Sequence, residues 1–312
     1  MRYRAAIVGL GRVGMLFDED KSRRRTWTHF SSYERLADRF DLVAVCDPDS
    51  ERRKTAIARR PSLRAFASLD ELLDSEPVDV ISICTPIDLH AEQILRCAGR
   101  VKAIICEKTI SSDTVSGTEA ADACNASGTL LAVNYYKRFE ASVQIARRLL
   151  GDGDLGDVRS ASALYSGPLD AVGSHAVDLL RFLVGSLEVA STADASVLFR
   201  MTGNSVAALL HAGPRSDLVF EVDIIGTEGR ARILENCARL EVSRFAPSGR
   251  YDGYRELFDE SSFTESSEPF LLLFTEVADA LDGRRDRLTS DASGALHTQR
   301  LLDTIHAQIR QP

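Results

Sequence analysis

The sequence lacks long apolar runs, an excess of basic charge, paired cysteines and internal repeats, and each absence removes a class of protein. No stretch approaches the roughly 20 apolar residues of a membrane span. Met1-Arg2-Tyr3-Arg4 leads into an apolar strand without a signal-peptide core, so the expectation is a cytoplasmic protein with no membrane partner. The formal net charge of −8 argues against a nucleic-acid partner, because phosphate binding needs a basic footprint. Arg23-Arg24-Arg25 is too short to reverse that, and reads as either a solvated loop or a contact for a phosphate or acidic group. The six cysteines (Cys46, Cys84, Cys97, Cys106, Cys124 and Cys237) contain no CxxC pair. They read as buried free thiols, and no metal site is expected. Without repeats or low-complexity segments, solenoid architectures are excluded as well.

What is present is a globular composition. The 312 residues are 44% hydrophobic and 27% charged, enough for two domains with their own cores. The most informative stretch is Ala5-Ala6-Ile7-Val8-Gly9-Leu10-Gly11-Arg12-Val13-Gly14, an apolar strand that breaks into glycines spaced G-x-G-x-x-G. In a dinucleotide-binding turn Gly9 makes the bend, Gly11 lets the backbone approach a pyrophosphate, and Gly14 lets the following helix pack on the strand. Free N–H groups at that helix end then face the phosphates. Asp41–Asp47 is a second apolar strand ending in an acid, and Asp47 is placed to accept hydrogen bonds from an adenosine ribose. Arg52, Arg53 and Lys54 follow closely. They could accommodate a 2′-phosphate, but Asp47 would repel one, so NAD is expected, with NADP as the alternative.

Taken in order, the segment after Gly14 is longer than the fingerprint requires. The excess runs from Phe17 to His29 and is closed by the only tryptophan, Trp27. Trp27 and His29 either face the reactive end of a cofactor or anchor the loop. A helical pattern resumes through Tyr33, Leu36 and Phe40. Further strands are expected at Val78–Cys84, where Pro86 stops the chain at the crevice, at Val101–Cys106 and at Leu130–Asn134, with helices between them, including one from an Asp113 N-cap to Gly128. Strands alternating with helices mean a parallel sheet. Beyond Gly156 the texture turns β-rich, with strands expected near 158–164, 196–200, 205–211, 218–225, 230–234 and 240–245. Turn signals such as Thr202-Gly203-Asn204 join them, and helices over 268–281 and 292–309 finish the chain. The fold class is therefore α/β: an N-terminal dinucleotide-binding Rossmann domain over residues 1–132, then an α+β domain with a mainly antiparallel sheet over 133–312.

With these motifs in place, the chain resembles the glucose–fructose oxidoreductase / inositol dehydrogenase / rhizopine catabolism (Gfo/Idh/MocA) family. The resemblance rests on Gly9–Gly14, Asp47, Cys84-Thr85-Pro86 with His90, Glu107-Lys108-Thr109, Tyr136-Lys137-Arg138-Phe139 and Gly173-Ser174-His175-Ala176-Val177-Asp178-Leu179. It implies a nicotinamide-dependent oxidoreductase acting on a hydroxyl or keto carbon of a sugar, cyclitol or sugar nucleotide, assembled as a homodimer or homotetramer through the open sheet. Around the cofactor it places Arg12, Val13, Thr85, Pro86, His90, Glu107 and Lys108. In catalytic roles it places Lys108, from a Glu-Lys-Pro motif in which Thr109 here replaces proline, and His175. It also implies substrate contacts at Arg138, Tyr136 and Asp178.

Without the resemblance, Lys108 is a solvated lysine at a strand end and His175 a packing histidine. Ser174 reads as the cap of a helix whose first turn holds His175, which would keep the imidazole neutral. Many relatives carry an aspartate four residues before this histidine. Here that position is Ala171, and Asp170 is the candidate replacement in the catalytic set. Two other functions stay open: an NAD-binding sensor without turnover, and an NAD-dependent glycosidase.

Overall fold

The computed structural model describes residues 2–22, 25–193, 196–201, 205–264 and 267–309. Arg23 and Arg24 of the arginine run, Met1, and the Thr202-Gly203-Asn204 turn lie outside the described residues. The chain forms two compact units, residues 1–136 with 268–299 and residues 137–267 with 300–312. A single cut between 132 and 133 puts every C-terminal helix in the second domain, whereas the chain returns to the first unit.

The first unit is built from β1 (Tyr3–Val8), α1 (His29–Arg35), β2 (Phe40–Cys46), α2 (Ser50–Arg59), β3 (Arg64–Phe66), α3 (Leu69–Ser75), β4 (Val80–Ile83), α4 (His90–Cys97), β5 (Ala103–Cys106), α5 (Thr114–Ser127) and β6 (Leu130–Val133). Its sheet has the order β3-β2-β1-β4-β5-β6 with every pairing parallel, the dinucleotide-binding arrangement. The central strands are buried on both faces, which explains their unbroken apolar runs. Helices start where the sequence signals them: Asp49, Ser68 and Asp113 each accept a backbone N–H as N-cap, and Gly128 closes α5 in the left-handed region.

One expectation changes. Phe40 does not end a helix; α1 stops at Arg35 and Phe40 opens β2. The turn after the fingerprint is also short, a single helical turn closed by Met15 N–H to Gly11 O at 2.9 Å and Phe17 N–H to Arg12 O at 2.8 Å. The insertion then leaves the helix, and α1 rejoins it, since His29 and Phe30 donate their N–H groups to the Val13 and Gly14 carbonyls, both at 3.0 Å.

The second unit contains α6 (Ala141–Gly151), β7 (Val158–Ser166), α7 (Ser174–Val184), β8 (Leu187–Ala193), β9 (Ser196–Met201), β10 (Val206–Gly213), β11 (Phe220–Gly226), β12 (Gly229–Leu234), β13 (Arg239–Pro247) and β14 (Arg255–Thr264). Its eight-stranded sheet runs β14-β13-β12-β11-β7-β10-β9-β8, antiparallel except for the β7–β10 pair. One face, including Ala161, Ala163, Val222, Ile224, Leu240 and Leu209, joins the apolar core under α6 and α7. Of the closing helices, α8 (Pro269–Leu281) belongs to the first unit. The start of α9 (Ala292–Ile309) adds Ala295 and Leu296 to the first core, and its later turns add Leu301, Leu302 and Ile305 to the second.

Candidate active site

Gly9 and Gly14 stand where a side chain would collide with backbone. Gly9 has φ +93°, and a Cβ there would lie 2.7 Å from the Cys84 carbonyl carbon, so β1 turns hard against the end of β4. A Cβ on Gly14 would meet the Gly9 oxygen at 2.1 Å, whereas one on Gly11 would project into open space. That space is a cavity of about 550 Å³ walled by Gly9, Gly11, Asp47, Arg52, Ser68 and Pro86.

Asp47 is 2% exposed and oriented by backbone. Its Oδ2 accepts the Leu10 N–H at 2.7 Å and its Oδ1 accepts the Asp49 N–H at 2.9 Å. The basic residues that follow are used locally: Arg53 donates to the carbonyls of Asp47 and Pro48, Lys54 pairs with Glu51, and Arg52 stands 3.5 Å from the Asp47 carboxylate. A buried carboxylate at the ribose position fits a free 2′-hydroxyl better than a phosphate.

The other expected cofactor residues have more varied places. Pro86 lines the cavity, and Thr85 donates its hydroxyl to Gln93 at 2.7 Å. His90 is 1% exposed and bridges two loops, with Nδ1 2.7 Å from Thr109 O and Nε2 2.9 Å from Thr85 O. It therefore braces the strand ends from behind. Arg12 is exposed, and Val13 serves through its carbonyl.

At the end of β5 the Lys108–Thr109 peptide is cis, although threonine stands where the Glu-Lys-Pro motif that this stretch resembles has proline. Lys108 is half-buried. Beside it Glu107 accepts the Asn134 side-chain N–H at 2.6 Å and lies 3.0 Å from His29 Nε2. Burial pushes the Glu107 carboxyl up. The hydrogen bond and charge of His29, the Asn134 amide and the Lys108 charge more than offset this and hold it below the usual carboxylate range. Nothing in the sequence pattern singled out His29 and Asn134 as a pair on Glu107. Tyr136 packs in the same unit, with its ring centroid 5.5 Å from Trp27 and 5.4 Å from Phe270.

In the second unit His175 is 7% exposed in the first turn of α7. The expected cap is corrected here. A π-helical turn, Leu169–Gly173, runs straight into α7, the capping position falls on Gly173 in a helical conformation, and Ser174 Oγ donates back to Asp170 O at 2.7 Å. The backbone N–H groups entering α7 are thus already bonded, so a bare helix N-terminus is not what His175 meets. Asp170 pairs with His306 Nε2 at 2.9 Å, its side chain 73% exposed.

Arg138 and Asp178, expected at substrate, are 2% and 1% exposed and grip each other bidentately at 2.8 and 2.5 Å. Their role in this fold is to tie the segment after β6 to α7, one turn beyond His175. Among the described residues no group of His, Cys, Asp and Glu could hold a metal ion, and no helix is long and apolar enough to cross a membrane.

Residues 3–135 match the family model described as "Oxidoreductase family, NAD-binding Rossmann fold". That match lies within the first unit and covers less than half of the chain. Inositol 2-dehydrogenase of Rhizobium meliloti is 28% identical over 213 residues, which cover 64% of this chain and 60% of that protein. D-apiose dehydrogenase of Paraburkholderia graminis is 26% identical over 226 residues, 67% of this chain and 57% of that one. The chain thus spans less than two thirds of the length of these relatives. The fold is shared over its whole extent with the WlbA dehydrogenase of Bordetella pertussis, solved with NADH and UDP-GlcNAcA, at a TM-score of 0.81 and 21% identity covering 99% of this chain and 96% of that one.

Proposed function

We propose that this protein is an NAD-dependent oxidoreductase that transfers a hydride between the cofactor and a hydroxyl or keto carbon of a sugar, cyclitol or sugar nucleotide. The observation that carries the reading is the buried, backbone-oriented Asp47 beside an open Gly11, in a chain that also keeps Lys108 and His175. The dehydrogenase names of the relatives support the substrate class. Bound NAD supplies the hydride acceptor, C4 of the nicotinamide. The chain's own groups do the rest. His175 takes the hydroxyl proton, and Lys108 stabilises the charge that develops on the oxygen. Asp170, committed to His306, is left outside this set.

The test is to titrate the protein with NADH and then screen it with NAD against cyclitols, sugars and nucleotide sugars for absorbance of the reduced cofactor. Turnover on a polyhydroxylated compound supports the reading. Stoichiometric NADH binding with no turnover across the panel points instead to a sensor, and release of an aglycone without net cofactor reduction to a glycosidase.

A further inference from the structure

The polar cluster beside Lys108 draws its members from three separate stretches of the first unit. His29 opens α1, Glu107 follows β5 and Asn134 follows β6. An ionised carboxylate only accepts, so the His29 ring donates from Nε2 and the Asn134 amide donates from Nδ2, both to Glu107 Oε1. His29 is 0% exposed and lies edge-on to the rings of Phe270 and Phe274, while its Nδ1 is buried and has no hydrogen-bond partner among the described residues. A core position that needed only filling would be served better by an apolar side chain, which leaves no ring nitrogen bare. The one return on that cost is the Nε2–H aimed at Glu107.

Besides His29 and Asn134, three groups are placed near Glu107. Lys108 is its neighbour in the chain, and the thiols of Cys84 and Cys106 stand near it. Burial pushes both thiols well above the usual range, with the Glu107 charge adding to the effect, so they stay uncharged at neutral pH. From α8, Phe270 and Phe274 pack edge-on against the His29 ring. Glu107 therefore exchanges charge with His29 and Lys108 alone among these groups.

We infer that His29 is a positioning residue for the reaction: it fixes Glu107 as an anion and through it holds the Lys108 ammonium charged and directed. The inference rests on reading Lys108 as the group that stabilises the reacting oxygen. If the Nε2–H is removed, the effect of burial on Glu107 is less opposed. The carboxyl then takes a proton at a higher pH, and Lys108 loses its anionic neighbour when it does.

The experiment follows the Glu107 carboxyl directly, by 13C NMR of the holoprotein labelled at the glutamate δ-carbon, with the signal assigned by its loss in E107Q. Between about pH 5 and about pH 9, the unmutated protein and H29Q, whose amide can donate in place of the ring, should keep Glu107 ionised. H29F should bring the titration into that window, about one pH unit or more higher. On the substrate found by the screen, the acid limb of kcat should move up in H29F and stay in place in H29Q, with NADH affinity within a few-fold in both. A Glu107 that stays ionised in H29F overturns the inference, and so does a kcat profile that falls evenly at every pH. If H29F does not fold, Asn134→Ala removes the other donor and must raise the same titration; an unmoved signal there overturns the inference equally. A K108A variant with unchanged rate removes the proposed function instead. Loss of turnover in K108A beside an unmoved Glu107 signal removes only the role of His29.

Discussion

His175, Asp47 and Glu107 have different surroundings, and a substitution at each has its own expectation. His175→Ala should lower kcat by ~10²–10⁴-fold, the usual contribution of a positioned acid–base group, and leave NADH affinity nearly intact. Should the rate stay within a few-fold, the proton acceptor lies elsewhere. Tyr165 is a poor substitute, because burial, with the charge of Asp170 adding, pushes its phenol up to about 12. Asp170→Asn would then be the variant to assay. Cofactor choice is equally specific: NADH should bind more tightly than NADPH, and Asp47→Ala should narrow the gap. Tighter NADPH binding to the unmutated protein would hand the 2′-phosphate to Arg52, since Arg53 is engaged with two carbonyls. Glu107 also makes a pH statement. Its folded-state value is depressed, so its contribution to stability is present above the unfolded carboxylate range and is lost as pH falls through the lowered value. Denaturant curves of E107Q should accordingly depend less on pH between neutral and acid than those of the unmutated protein. The residues legible in the sequence were those with local spacing, such as Gly9, Gly11, Gly14 and Asp47. The grip of His29 and Asn134 on Glu107 was not, because it joins positions 78 and 27 residues apart.

Among the elements, the glycine-rich turn shows how a fold absorbs an insertion. The helix that should follow Gly14 is interrupted after one turn, and α1 completes it by donating to the carbonyls of Val13 and Gly14. The excursion is fastened by Asp18, which accepts from Thr28, Ser31 and Arg59 at 2.8, 2.5 and 2.6 Å. Spacing predicted an insertion but not this splice, which depends on backbone partners met only in three dimensions. The strands that sequence reading did not anticipate, β3, β8 and β14, lie at sheet edges. An edge strand is paired on one side only and need not be apolar; no residue of β14 is buried, so no alternation marks it. The expected helix cap at Ser174 failed for a related reason, since the π-helical turn runs straight into α7 and the Ser174 N–H is already bonded to Leu169 O and Val172 O. The Arg138–Asp178 pair next to that helix is open to a stability test. Asp178→Ala takes the bidentate carboxylate away from a buried guanidinium and should cost about 3–5 kcal/mol in denaturant unfolding. The double variant R138M/D178L should recover much of that loss, because two apolar groups need no partner.

For the whole molecule, the open sheet of the second unit carries a prediction about assembly. Strand register puts Leu198 beside Ala208 and Leu210 beside Leu164, on the face away from the core residues Leu209, Val197 and Ala163. Leu198, Val206 and Leu210 are each close to half exposed, at 45%, 46% and 44%. Further along the same face the charges are already matched, Asp223 with Arg230 and Glu241 with Arg232. An apolar stretch bordered by satisfied ion pairs is the composition of an association surface, and a two-fold axis across it would let one patch cover its own copy. The protein should therefore be a dimer or tetramer by light scattering at micromolar concentration. Leu198→Glu with Leu210→Glu should shift it toward monomer. NADH affinity should stay within a few-fold in that variant, because the residues proposed to hold the cofactor all lie in the other unit. A monomer before any substitution would count directly against the assembly, and an unchanged oligomer in the double variant would move the interface to another surface.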